Sequence, residues 1–168
     1  LARLREFDLA VFVSPSAVRK ALELAAGRAW PRVAAVGEGT RRELERRGFR
    51  EVLAPAGQAD SEALLALPEL AQVAGSSILI LRGEGGRELL GETLAARGAR
   101  VEHAECYRRV RPAEAPLPGG RIDAVCVSSG EALRNLAAIP GRERLAATPV
   151  FVSHPRVAAQ AGELGLGP

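Results

Sequence analysis

Five times along this chain the same local design returns: a short apolar run, a turn of small or polar residues, then apolar residues at helical spacing. The turns read SPSA (14–17), GEGT (37–40), GEGGR (83–87), SSGE (128–131) and SHPR (153–156). The runs before them are LAVFV (9–13), RVAAV (32–36), ILIL (78–81), AVCV (124–127) and VFV (150–152). Runs this short, apolar at successive and not alternate positions, are strands buried on both faces. Strands alternating with helices predict an α/β fold, a parallel sheet flanked by helices. The spacings are uneven and the elements differ, so this is no solenoid. In such sheets ligands bind beyond the carboxyl ends of the strands, where all five turns fall.

The clearest unit is 78–107. Ile78–Leu81 is a buried strand, the glycines at 83, 85 and 86 make a turn that lets backbone approach a ligand, and from Arg87 the period becomes helical, with Leu89, Leu90, Leu94 and Ala95 on one face. Gly98 stops that helix and an extended run from Val101 ends at Tyr107, completing a βαβ unit. Earlier in the chain, Ser14 stands where an N-cap belongs and Pro15 where the first helical residue belongs. That helix runs to Gly27, and the helix after GEGT stops at Gly48. EVLAP (51–55) is a short strand; Asp60 or Ser61 caps a helix holding Leu64 and Leu65, limited by Pro68. RPAEAPLPGG (111–120) has three prolines and two glycines and reads as a linker. Helices through Leu133 and Leu136 and from near Arg156 come next, so two α/β domains are expected, with a cleft between them lined by turns from both.

At 168 residues, 47% hydrophobic and 26% charged, the chain has material for a packed core. No apolar run approaches the ~20 residues a membrane span needs, and no basic segment leads into an apolar one as in a secretory signal. A cytoplasmic protein is therefore expected, with no membrane partner. Methionine is absent even at position 1, which reads as a piece of a longer protein. The net charge of +3 rests almost wholly on arginine, Lys20 being the only lysine. Arginine suits carboxylate or phosphate contacts. These arginines are scattered among glutamates and only 4% of residues are aromatic, which argues against a nucleic-acid groove. Cys106 and Cys126 lack CxxC spacing and are expected to be reduced core residues. His103 and His154 are far apart and no HExxH is present, so no metal site is predicted.

Candidate chemistry gathers in the turns. GEGGR fits neither GxGxxG nor a P-loop, yet amides at a helix start hold anions; the alternative is a plain tight turn. Arg87 opposes the helix dipole there and faces either a ligand or solvent. Ser14, Thr40, Ser128, Ser129 and Ser153 lie near helix starts, each as a cap or as one donor of a carboxylate-binding surface. Tyr107, the only tyrosine, ends a strand beside the linker, either as a proton donor to a leaving hydroxyl or as packing.

Taken together and in order, VFVSPSAV (11–18), VAAVGEGTRRELERRGF (33–49), ADSEALL (59–65), ILILRGEGGRELLGETLAARGARVEHAECYRRVRP (78–112) and VCVSSGEALRNL (125–136) resemble uroporphyrinogen-III synthase, from about Phe7 to the C-terminus. The resemblance implies two flavodoxin-like α/β domains joined by a short two-strand linker. It implies a monomeric cyclising lyase without cofactor or metal. The reaction turns hydroxymethylbilane into uroporphyrinogen III, losing water from ring A and inverting ring D through a spiro intermediate. Carried over by position, Tyr107 matches the tyrosine assigned to hydroxyl departure. Ser14, Gly37, Thr40, Gly83, Arg87, Ser128, Ser129 and Gly130 match turns that line the substrate, and SHPR, with Ser153, occupies a further such turn. It also implies that 1–111 is most of one domain and 112–168 part of the other, which a strand–helix unit before residue 1 and closing elements after Gly167 would complete. A non-catalytic α/β module binding an anionic small ligand is the competing reading.

Overall fold

Each predicted apolar run forms a strand in the computed structural model, which describes residues 3–57, 60–86, 88–110, 116–152 and 155–166. The chain divides into two compact units, Leu1–Arg109 and Val110–Pro168.

The first unit runs β1 (Leu9–Phe12), α1 (Pro15–Leu24), β2 (Arg32–Ala35), α2 (Glu38–Arg46), β3 (Val52–Leu53), α3 (Ser61–Leu65), α4 (Pro68–Ala71), β4 (Ser77–Gly83), α5 (Leu89–Ala96) and β5 (Arg100–Tyr107). Its five strands are parallel in the order β3-β2-β1-β4-β5. Leu9–Phe12 lies in register with Arg32–Ala35 on one side and Ile78–Leu81 on the other. Burial on both faces explains the unbroken apolar runs. Ala10, Phe12, Val33, Ala35, Leu79 and Leu81 pack against α1 and Leu44 of α2. The alternate residues Leu9, Val11, Ala34, Ile78 and Ile80 pack against Leu64, Leu65, Leu70, Leu90 and Leu94 of α3, α4 and α5.

The strand order differs in detail from the flavodoxin expectation, whose order is 2-1-3-4-5. Here the chain steps outward twice, β1 to β2 to β3, before it crosses to β4, because the two-residue β3 adds itself at the edge beside β2. Direction therefore reverses between β1 and β4, and that pair is the topological switch point.

Several boundaries move. β4 extends through Arg82 and Gly83, so the glycine turn begins one residue later than predicted. α2 starts at Glu38 with Gly37 as N-cap, which places Thr40 inside the helix and not in a turn. Pro68 does more than limit α3: at N1 it starts α4. Ser14 and Asp60 cap α1 and α3, accepting from Ala17 N–H at 3.1 Å and Ala63 N–H at 2.7 Å.

The second unit holds β6 (Val125–Val127), α6 (Gly130–Ala137), β7 (Val150–Val152) and α7 (Pro155–Glu163), with β6 and β7 parallel. Val127, Leu133, Leu145, Val157, Ala161 and Leu166 form its core. The other face of the strand pair is open: Cys126 is exposed and its register partner Phe151 is 61% exposed. Cys126 is thus no core residue, because the described helices cover one face of this pair and the thiol points to the other. Cys106 is half-buried against the first unit's core, and both thiols are free. No described helix is long and apolar enough to cross a membrane.

Candidate active site

The carboxyl ends of β1, β4 and β5 bring three predicted residues together. Ser14 follows β1 with extended backbone (φ −160°, ψ 160°), and its Oγ accepts the Ala17 N–H while capping α1. Tyr107 closes β5, and its phenol oxygen lies 3.0 Å from Ser14 Oγ, a hydrogen bond across 93 residues of sequence. Gly83 closes β4, and Glu84 N–H donates to the Tyr107 carbonyl at 2.9 Å. A methyl placed on Gly83 would stand 2.7 Å from Tyr107 Cε2 and Cζ, so the ring occupies the space a side chain would take. These ends flank the β1–β4 switch point, where doubly wound sheets bind ligands.

Tyr107 reaches this face through a bulge. Along β5, Val101 packs on the α5 face, a side chain on Gly91 of α5 would meet the His103 ring, and Glu105 lies 3.5 Å from Arg82. Strict alternation would place Tyr107 with them. The register shifts, however: Arg82 stands opposite Glu105, but Gly83 stands opposite Tyr107, so Cys106 is an extra residue. An inserted residue rotates the next side chain to the other side of the sheet. Tyr107 consequently joins Ala104 and Cys106 against the α1-side core.

Beneath the glycine turn lies a charge cluster that strand reading did not anticipate. Arg82 is 9% exposed. Its Nη2 donates to Glu88 at 2.8 Å, its Nη1 to the Gly86 carbonyl at 3.5 Å, and Glu105 lies nearby. Its Nε is buried without a partner among the described residues. The bond from Arg82 holds the Glu88 carboxyl below its usual range, and His103 Nε2 lies 3.9 Å from Glu88. Burial pushes the Cys106 thiol up. The one available signal in the sequence was an arginine directly following four aliphatic strand residues. An interior strand position of that kind requires carboxylate partners.

The other candidates stand near the ends of other strands. Gly37 is buried as the N-cap of α2, and Thr40, 4% exposed, donates its N–H to the Gly37 carbonyl at 3.0 Å. This turn neighbours the Ser14 turn: Val36 N–H donates to Phe12 O, and a side chain at Gly39 would meet Pro15 at 3.8 Å. In the second unit Ser129 caps α6, accepting from Ala132 N–H at 3.1 Å, and Ser128 beside it is exposed. Gly130 opens α6 where the Gln160 side chain of α7 leaves no room for a Cβ, only 2.5 Å away. Arg87, Ser153 and His154 lie outside the described residues. Among the described residues no group of three or more His, Cys, Asp or Glu could hold a metal ion.

A phenol hydrogen-bonded to a helix-capping hydroxyl, set at a switch point beside an exposed glycine turn, is equipped to hand over one proton to a bound molecule and to receive anionic groups. Comparison with known proteins identifies the family. The family described as uroporphyrinogen-III synthase HemD matches residues 1–168. The chain is 40% identical over 180 aligned positions to uroporphyrinogen-III synthase of Escherichia coli (strain K12), covering 98% of this chain and 73% of that one. It is 49% identical over 114 positions to the Salmonella typhimurium enzyme of the same name, covering 65% and 46%. A crystal structure of a mutant uroporphyrinogen III synthase from the extremely thermophilic bacterium Thermus thermophilus is similar with a TM-score of 0.58 and 25% identity, covering 99% of this chain and 72% of that one. With the family match spanning the whole chain, this chain belongs to the uroporphyrinogen-III synthase family.

Proposed function

We propose that this chain is the catalytic part of a uroporphyrinogen-III synthase, a cyclising lyase of tetrapyrrole and haem biosynthesis that closes hydroxymethylbilane into uroporphyrinogen III with loss of water and inversion of ring D. The observation that carries the reading is the Tyr107–Ser14 hydrogen bond at the β1–β4 switch point, in a chain 40% identical to a curated synthase across 98% of its length.

Tyr107 gives its proton to the departing hydroxyl of ring A. The substrate's carboxylates are received by donors spread over the turns: the Ser14 backbone N–H, Gly37, Thr40, Gly83 and Arg87 in the first unit, Ser128, Ser129, Gly130 and Ser153 in the second. Many weak donors suit this reaction because folding a flexible chain into its closing conformation is mainly a positioning task. The reading assigns 1–111 to most of one α/β domain and 112–168 to part of a second, joined by a two-strand linker. It requires no cofactor or metal and describes a cytoplasmic monomer. A non-catalytic module binding an anionic ligand is not favoured, since the relatives carry the synthase name.

A coupled assay that generates hydroxymethylbilane tests the proposal on the full-length protein. The expected product is the III isomer; accumulation of the I isomer alone, which forms spontaneously, would overturn the synthase reading.

A further inference from the structure

We propose that Ser14 is the positioning residue of the Tyr107 phenol, donating its hydroxyl hydrogen to the phenol oxygen and holding the charge left there when the phenol proton departs. The inference rests on the proposed synthase reading for its kinetic part and on geometry alone for its structural part.

Ser14 Oγ has one hydrogen to give and two lone pairs to receive. One lone pair is occupied by the Ala17 N–H, 3.1 Å away, in the first turn of α1. Pro15 at N1 starts the helix with its φ already set, and the Ala17 N–H is the amide that the Ser14 cap accepts. The extended backbone at Ser14 and the cap together fix where the hydroxyl stands. Its remaining partner is Tyr107, 3.0 Å away and part-buried.

Either oxygen of this pair can donate, and the reaction selects the direction. A phenol that protonates a leaving hydroxyl must aim its own O–H at the substrate, which leaves its oxygen to accept from Ser14. As the phenol O–H bond breaks, its proton joins the departing hydroxyl. The carbon–oxygen bond then breaks with its electron pair, and water leaves. The phenolate oxygen keeps the electron pair of the broken O–H bond and remains hydrogen-bonded to Ser14. The proton released when the macrocycle closes restores the phenol.

The Ser14 oxygen is polarised in turn by the Ala17 amide at a helix N-terminus, which strengthens its hydrogen as a donor. Nothing in this chain of bonds reaches the phenol if the ring is displaced. The bulge at Cys106 turns the ring to this face, and the bare Gly83 leaves it room. Ser14 therefore acts through Tyr107, and the split between kcat and KM separates this role from a direct substrate contact.

The test exploits the single tyrosine of the sequence. Tyrosine labelled with carbon-13 at Cζ gives one protein signal, whose chemical shift reports hydrogen bonding at the phenol oxygen and needs no substrate. The labelled protein is compared with Ser14→Ala, Ser14→Thr and Ser14→Asp. Ser14→Ala is expected to shift the Cζ signal and to lower kcat about ten- to hundredfold, the value of one hydrogen bond to a charged oxygen. Its KM is expected to stay within about twofold, because an interaction made only in the transition state leaves ground-state binding alone. Ser14→Thr keeps cap and hydroxyl and is expected to retain the native signal and most of kcat. Ser14→Asp is the deciding variant: aspartate caps a helix as well as serine does, but when ionised it only accepts. It is expected to preserve thermal stability and yet to lose at least as much kcat as Ser14→Ala.

A Cζ signal unmoved in Ser14→Ala, or a Ser14→Asp enzyme with native kcat, would show that Ser14 is only a cap and overturn the proposal. Should the protein make no uroporphyrinogen III, the synthase reading fails while the Cζ comparison still decides whether Ser14 holds the phenol.

Discussion

At Gly83 the absence of one methyl group decides where a phenol stands. An added Cβ would lie 2.7 Å from two ring atoms of Tyr107, closer than carbon atoms approach without displacement. The ring can move only by giving up the 3.0 Å bond to Ser14. Gly83→Ala is therefore expected to leave the protein folded and to lower kcat about ten- to hundredfold, as misplacement of a catalytic group by about an ångström does. Tyr107→Phe sets the floor: turnover slows but residual activity remains, because positioning and not one acid carries most of the rate. Parallel kinetics on both variants check this, and a Gly83→Ala enzyme with native kcat would show that the ring's placement is not critical. Glycine at 83 was legible in the sequence as a turn residue, but its actual partner, the ring of Tyr107 on the next strand, was not.

At the scale of elements, β5 shows how one extra residue re-aims a side chain. Deleting Cys106 removes the extra residue and seats the tyrosine directly after Glu105, where alternation turns it to the α1-side face opposite Gly83. The expected outcome is a protein with native far-UV circular dichroism that keeps clearly more kcat than Tyr107→Phe; a fall to the level of Tyr107→Phe would mean that the bulge itself, and not the face alone, places the ring. Helix α2 offers a pH test. Glu38 at its first turn is held at about 2 against an ordinary 4.5 by hydrogen bonds from Arg41 and then Arg42. Because the folded value is depressed, the stability contributed by these bonds is complete above the ordinary carboxylate value and is lost as pH falls through about 2. The group is solvent-exposed, so its share of stability is small. Carbon-13 titration of the Glu38 carboxyl is expected to show a midpoint well below those of unpaired glutamates, and a midpoint near 4.5 would mean the bonds do not persist in solution.

At the scale of the molecule, the two units differ in what holds them together. The first has five parallel strands covered on both faces. The second has two described strands with one face open at Cys126 and Phe151. Two-stranded pairs are marginal by themselves, while buried central strands open only on global unfolding. Native-state hydrogen exchange on the 168-residue chain is expected to protect the amides of Val11 and Ile80 by orders of magnitude more than those of Val127 and Val152. Equal protection would contradict this difference in stability.

The sequence by itself determined the fold class and most of the elements. Unbroken apolar runs, caps at Ser14 and Asp60 and Pro15 at N1 are local signals, set by burial and by unsatisfied amides within a few residues. It also singled out Ser14, Gly83 and Tyr107 as residues of interest. What only the tertiary structure decided is that these three touch. Strand order, which puts β1 beside β4, is a long-range outcome of packing. The bulge at Cys106 cancels the alternation that local reading relies on. Arg82 lies in the same strand as Gly83 but on the opposite face, and it is tied down by carboxylates from two other segments. Periodicity records which residues are buried; contacts across 93 residues depend on how strands assemble, and no local pattern encodes that.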